Sequence, residues 1–174
     1  MAPIDSPATA ICDAGPLIHL DELGSVDLLT GFGEILVPEQ VCVEVVRHRP
    51  QALEGIQPSW SKPSVEISRA PNFQALMMAF SLGFGEQAAL TLMQSHPRAI
   101  FLSDDAAARM VAKSLDLRSQ GTIGLLLRAV RLGRRSRDQI LSLLRMLPNL
   151  STLHIRASLL KSVIEELEAS GISR

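Results

Sequence analysis

The chain has 174 residues, 47% of them hydrophobic, and its 17 Lys and Arg against 18 Asp and Glu give a formal net charge of −1. Such a length and apolar content fit a single domain with its own core, and so even a balance excludes whole-molecule attraction to a polyanion, so any basic patch must be local. No stretch reaches the roughly 18 uninterrupted apolar residues that cross a bilayer, and the start MAPIDSPATA lacks the basic opening and apolar run of a signal peptide. Cys12 and Cys42 sit in apolar runs without ligand spacing and read as small buried thiols. A cytoplasmic protein with no membrane partner is the expectation.

Along the chain, short β-like runs alternate with helical ones, the signature of an α/β fold. Thr9–Cys12 reads as a buried strand ending at Asp13; a short helix from Pro16 carries Leu17, Ile18 and Leu20 and stops at Gly24. Ser25–Thr30 makes a helical turn or two, and Glu34–Val37 is a second strand closed by Pro38. Glu39–Arg47 is open between a helix with Val41, Val45 and Val46 on one face and a strand, because it is dense in β-branched residues. Pro50 to Pro71, with Trp60 and a strand candidate at Val65–Ser68, reads as an irregular excursion and a candidate mobile flap.

Asn72–Leu82 and Gly85–Gln94 are helical, and Ala99–Ser103 is a third clear strand before the pair Asp104-Asp105. Helices are expected over Ala106–Leu115 and Gly121–Leu132, with a turn or fourth strand at Asp116–Ser119 between them. Ser136 caps a helix through Leu147, Pro148–Ser151 turns the chain, and His154–Ala169 forms a last amphipathic helix with Leu159, Leu160, Val163, Ile164 and Leu167 as its stripe.

Acidic residues lodged in or beside apolar stretches are the informative chemistry: Asp13 in ICDAGPLI, Glu44 in VCVEVV, Glu86 in GFGEQAAL, and Asp104-Asp105 in FLSDDAAA. Desolvating a carboxylate costs several kcal/mol unless a cation or hydrogen bonds compensate. Asp13 and the Asp104-Asp105 pair follow strands directly, and ligand sites in open α/β sheets collect beyond the carboxyl ends of the strands. Oxygen ligands with no neighbouring Cys or His pair point to a hard divalent ion, Mg²⁺ or Mn²⁺. Each acid also has an ordinary reading. Asp13 and Asp104 can cap helices, Asp105 can sit favourably at a helix N-terminus, Glu86 can be a first-turn acid, and Glu44 can pair with Arg47.

Arg109 can meet a phosphate or pair with one of the two Asp residues. The run Arg128, Arg131, Arg134, Arg135 and Arg137 can bind RNA phosphates or serve as ordinary complements of a helix dipole. His19, His48, His96 and His154 share no ligand spacing and read as incidental. With one Trp, five Phe and no Tyr, stacking platforms for bases are not expected.

The segments Cys12-Asp13-Ala14-Gly15-Pro16-Leu17-Ile18, Val43-Glu44-Val45, Gly85-Glu86-Gln87-Ala88-Ala89-Leu90, Leu102-Ser103-Asp104-Asp105-Ala106 and Gly121-Thr122-Ile123-Gly124-Leu125-Leu126, in that order, resemble a PIN domain. The nearest branch is an uncharacterised PIN-like group close to the ribonuclease toxins of toxin-antitoxin pairs. The resemblance implies a three-layer α/β/α sandwich on a parallel sheet, with a single domain over residues 1–174, a core at about 9–150 and a helical extension at about 151–170. It also implies Mg²⁺- or Mn²⁺-dependent cleavage of single-stranded RNA, a small antitoxin that blocks the site, and a homodimer. Carried over by position, Asp13, Glu44 and Glu86 match metal-binding acids, and the fourth is Asp105 or Asp104. Ser103 stands where Thr is usual, and with Thr122 it is a candidate to orient a ligand through its hydroxyl. Arg109, Arg134, Arg135 and Arg137 are the candidate RNA contacts. A non-catalytic binding module of the same fold and a Mg²⁺-dependent phosphatase for a small substrate are the rival readings, an open groove lined by Arg134, Arg135 and Arg137 favouring RNA and a closed pocket the phosphatase.

Overall fold

A computed structural model describes residues 8–57 and 59–170; the N-terminal stretch 1–7 and Pro58, both part of the reading above, lie outside the described residues. Thr9–Cys12 is β1, followed by α1 (Ala14–Glu22), a 3-10 turn at Val26–Gly31, β2 (Glu34–Leu36), α2 (Glu39–His48), α3 (Gln51–Glu54) and β3 (Trp60–Ser61). Then come α4 (Pro71–Ala79), α5 (Phe84–Ser95), β4 (Ile100–Leu102), α6 (Ala106–Ser114), β5 (Ser119–Gln120), α7 (Thr122–Arg131), α8 (Arg137–Leu150) and α9 (Ala157–Ala169).

The strands make one parallel sheet in the order β3-β2-β1-β4-β5. Alternation along each strand feeds two cores: Ala10, Cys12, Ile35 and Leu102 pack with α1, α7 and α8 on one face. Ile11, Leu36 and Phe101 pack with α4, α5 and α6 on the other. The result is a three-layer α/β/α sandwich. From β1 the chain first builds outward through β2 and β3, then crosses to β4 and β5, so the strand order reverses between β1 and β4. Beyond the carboxyl ends of those two strands, diverging connections leave a crevice, the usual ligand position in an open α/β sheet.

The segment open between helix and strand is helical: in α2, Val41 and Val45 are buried while Val43 and Val46 are exposed, a one-sided stripe that packing rewards despite the β-branched residues. Three expectations need correction. The strand candidate at Val65–Ser68 is irregular chain; the edge strand is Trp60–Ser61, and the segment after it is tied down by bonds from Glu39 N–H to the Pro63 carbonyl, from Gln40 to the Val65 carbonyl, and from the Ser68 N–H to Thr91. Pro148 lies inside α8 rather than ending it, because a proline so near the C-terminus removes a single ladder bond and the next, Ser151 N–H to the Leu147 carbonyl, still forms at 3.0 Å. The last helix starts at Ala157, and Leu159 of its proposed stripe is exposed, whereas Leu160 and Leu167 are buried against the body of the protein.

Candidate active site

β1 and β4 lie side by side, and the Asp13 N–H donates to the Leu102 carbonyl at 2.8 Å, so the two chains leave the sheet together. Asp13 is only 5% exposed, at the N-cap position of α1 but without a side-chain cap bond. Its Oδ2 accepts from the buried Ser103 hydroxyl at 3.0 Å. The ordinary capping reading therefore does not account for this carboxylate; its other oxygen is directed toward α5.

Gly85 makes that approach possible. A Cβ there would sit 3.7 Å from Asp13 Oδ1, 3.6 Å from Glu44 Oε2 and 3.4 Å from Val41, so carboxylates from β1 and α2 converge over one turn of α5. Glu86 is the next residue in that turn. Burial pushes the Asp13 carboxyl from 3.8 up to about 7, and the charges of Glu86 and Glu44 add to the rise. Burial, with the charges of Asp105 and Glu44, also pushes Glu86 up. Asp13, Glu44, Glu86, Asp104 and Asp105 all line one solvent-open cavity of about 550 Å³.

Asp104 is a different kind of acid. Its Oδ1 accepts from the Thr122 N–H at 2.7 Å, and its Oδ2 from the Thr122 hydroxyl at 2.5 Å and from His19 Nδ1 at 2.7 Å. Burial alone would raise its pKa, but the bonds from His19 and Thr122 outweigh that and hold the carboxyl below its usual value. Asp104 is thus a saturated buttress that ties α1 to the start of α7. Asp105 caps α6, its Oδ1 accepting from the Ala108 N–H at 2.6 Å, while its other oxygen has no partner among the described residues. Of the pair, Asp105 keeps the freer oxygen.

Replacing Thr122, which is fully buried, with Val removes a hydroxyl donor from the ionised Asp104. The expected loss is about 2 kcal/mol at neutral pH. Because Asp104 titrates low, its contribution is present above its ordinary pKa and fades only as pH falls through the lowered value. Denaturant melts of the variant at neutral and acid pH should show the gap narrowing on the acid side.

The sequence reading passed over several residues of this cavity. His19, His48 and His154, set aside as incidental, all line it, as do Glu22 and Arg49. Arg49 is held there by Asp21, with Nε donating to Oδ2 at 2.8 Å. The signal was the helical i,i+4 spacing: Gly15 and His19 share a face of α1, and Glu44 and His48 share a face of α2. Glu22 accepts from Ser151 and Thr152, which draws the segment before α9 to the cavity mouth.

The basic candidates are not at this cavity. Arg109 donates to the Ser103 carbonyl at 2.9 Å, pairing with neither Asp but bracing the β4–α6 turn. Arg134 lines a separate cavity beside Thr9, at the amino ends of the strands, and Arg135 is paired with Asp27 at 2.7 Å. Arg137 opens α8 as its first residue, outside the residues lining the acidic cavity. The physical reason is the length of α7: it begins at the site with Thr122 and its 10 residues carry the chain about 15 Å to the opposite, amino end of the strands.

As the side chains stand, no three His, Cys, Asp or Glu groups among the described residues converge closely enough to enclose an ion. The acids nonetheless fit a hard cation: they offer oxygen ligands, with Asp13 and Glu86 raised partly by neighbouring negative charge that a cation would neutralise. No curated protein and no solved structure matches the chain. A family model described as a PIN domain, a class of fold associated with nucleases, matches residues 9–169, from β1 to the end of α9 and across every residue that lines the acidic cavity. By that match and by its parallel sheet with acids gathered at the strand ends, the chain belongs to the PIN-domain family.

Proposed function

We propose that the protein is a metal-dependent endoribonuclease that cleaves single-stranded RNA in the acidic cavity. The observation that carries this reading is that Asp13, Glu44 and Glu86, from three separate elements, line one open cavity, with Asp13 buried and its pKa raised to about 7. Such an arrangement is unfavourable for stability in the absence of a cation, and hence is better explained by ligand binding than by folding.

Asp13, Glu86 and Glu44 would hold the ion, with Asp105 as the fourth acid. A bound Mg²⁺ or Mn²⁺ supplies Lewis acidity toward water and the phosphodiester oxygens. The remaining work belongs to the chain. Ser103 fixes Asp13 through Oδ2 and leaves Oδ1 toward the cavity. Thr122 and His19 keep Asp104 ionised and lock α1 against α7. Arg49, His48 and His154 at the cavity wall offer donors to the phosphates of a bound strand.

The open form of the cavity supports RNA over a small phosphate ester, although Arg134, Arg135 and Arg137, the arginines expected to line an RNA groove, are not at it. The wider reading is a toxin of a two-protein module acting as a homodimer, blocked by a small antitoxin; Val43 and Val46, 59% and 55% exposed on the helix that carries Glu44, offer apolar surface for such an inhibitor. The test is a comparison of single-stranded RNA, double-stranded RNA and a phosphate monoester as substrates, each with Mg²⁺, Mn²⁺ or EDTA. Internal cleavage of the single strand that requires the ion is the expected result; turnover of the monoester alone would select the phosphatase, and no turnover together with no Mn²⁺ binding by calorimetry would select the binding module.

A further inference from the structure

At the amino ends of the strands, the end of the sheet opposite the acidic cavity, lies a second cavity, about 980 Å³, bordered by Thr9, Gly31, the segment from His96 to Ile100, Arg118, Arg128, Leu132 and Arg134. Four guanidinium groups and a histidine surround it, and among the described residues none that lines it is acidic. In a chain of net charge −1 this is a local concentration of positive charge. Among the described residues, none of Arg98, Arg118, Arg128 and Arg134 is ion-paired.

A helix dipole accounts for part of this at most. Arg128 lies in the last turn of α7, where a cation is favourable. Arg98 and Arg118, however, come from the separate segments that lead into β4 and β5, and Arg118 donates to the Arg98 carbonyl, which brings those segments together. Two of the cations are also held in place. The Arg128 guanidinium stacks 4.9 Å from the centre of the Phe32 ring, which fixes its plane. Arg134 lies so close over Gly31 that a Cβ there would be 2.6 Å from Nη1 and 2.8 Å from Cζ, so that glycine makes room for it.

We infer that this cleft binds the phosphates of a nucleotide. Planar guanidinium forks match phosphate oxygens in pairs, which lysines would not do. Pro97, Ile100 and Leu132 supply apolar wall for a ribose or base, and the volume lies within the range of small-ligand sites, about 300–1,000 Å³. A free nucleoside polyphosphate and the end or backbone of an RNA strand present the same chemistry. The inference stands on this cleft alone and does not depend on the activity of the acidic cavity.

Calorimetric titration of the full chain in EDTA, with ADP in one arm and a short uncleavable 2′-O-methyl oligonucleotide in the other, tests it. The expected result is saturable binding that weakens with salt, falls about tenfold or more in the Arg98→Ala/Arg118→Ala protein, and is unchanged in Asp13→Asn. Binding of ADP alone identifies a free nucleotide as the ligand, and binding of the oligonucleotide alone identifies RNA. Arg128→Gln, which removes one guanidinium and keeps a polar side chain, provides a second variant should the double variant melt early. Failure of both ligands to bind at millimolar concentration, or equal binding by wild type and both variants, would overturn the inference, whatever the outcome of any RNA cleavage assay.

Discussion

Asp13→Asn is expected to make the metal-free protein more stable above pH 7, although it removes the most buried acid of the site. The carboxyl is 5% exposed, and its folded pKa is about 7 against an ordinary 3.8. Between those two values the folded chain holds a proton that the unfolded chain has released. Stability therefore falls as pH rises from about 4 to about 7, and above that range the full penalty of an ionised buried carboxylate applies. A shift of that size corresponds to at most about 4 kcal/mol. Asparagine keeps the shape and an oxygen for the Ser103 hydroxyl but carries no charge to desolvate. In EDTA, melting temperatures of wild type and variant should nearly coincide at about pH 4 and separate by several degrees at about pH 8, with the variant higher. Parallel profiles across that range would mean that Asp13 does not carry the buried charge assigned to it.

Mn²⁺ should reverse that penalty, and by an amount that depends on pH. A cation held by Asp13, Glu44 and Glu86 neutralises the repulsion that raises Asp13 and Glu86. At a hundred times its dissociation constant such a ligand adds about 2.7 kcal/mol to the folded state. At about pH 5 protons occupy the same oxygens and compete, so the stabilisation shrinks, because ligand carboxylates must be deprotonated to bind. Thermal scans with and without Mn²⁺ at the two pH values read this directly. The Asp13→Asn protein should lose most of the gain at about pH 8. An equal gain at both pH values, or an undiminished one in the variant, would place the ion elsewhere.

The parts of the molecule that the sequence made legible are those in which a local pattern and its tertiary use coincide. Thr9–Cys12 and Ala99–Ser103 are apolar runs ended by acids, and the structure has strands at Thr9–Cys12 and Ile100–Leu102 in adjacent, parallel positions. The family match over residues 9–169 agrees with the resemblance seen in the Asp13, Glu44, Glu86 and Asp104 segments. What was not legible depends on three-dimensional direction. Trp60–Ser61 is too short for alternation to mark it as an edge strand, and it takes its place by pairing with β2. The arginines after α7 follow Thr122 closely in sequence, yet the helix delivers them to the far end of the sheet, where Arg134 lines a different cavity. The distinct roles of Asp104 and Asp105 could not be read from a doubled letter, since only the positions of His19, Thr122 and the Ala108 N–H separate a buttress from a helix cap.

The decisive measurement is the cleavage of a mixed single-stranded RNA pool by wild type and by Asp13→Asn, side by side in Mn²⁺ and in EDTA. Internal cleavage by wild type in Mn²⁺, none in EDTA, and a rate at least about a hundredfold lower in the variant are expected of a metal site built on Asp13. Cleavage by Asp13→Asn at the wild-type rate, or by wild type in EDTA, would contradict it.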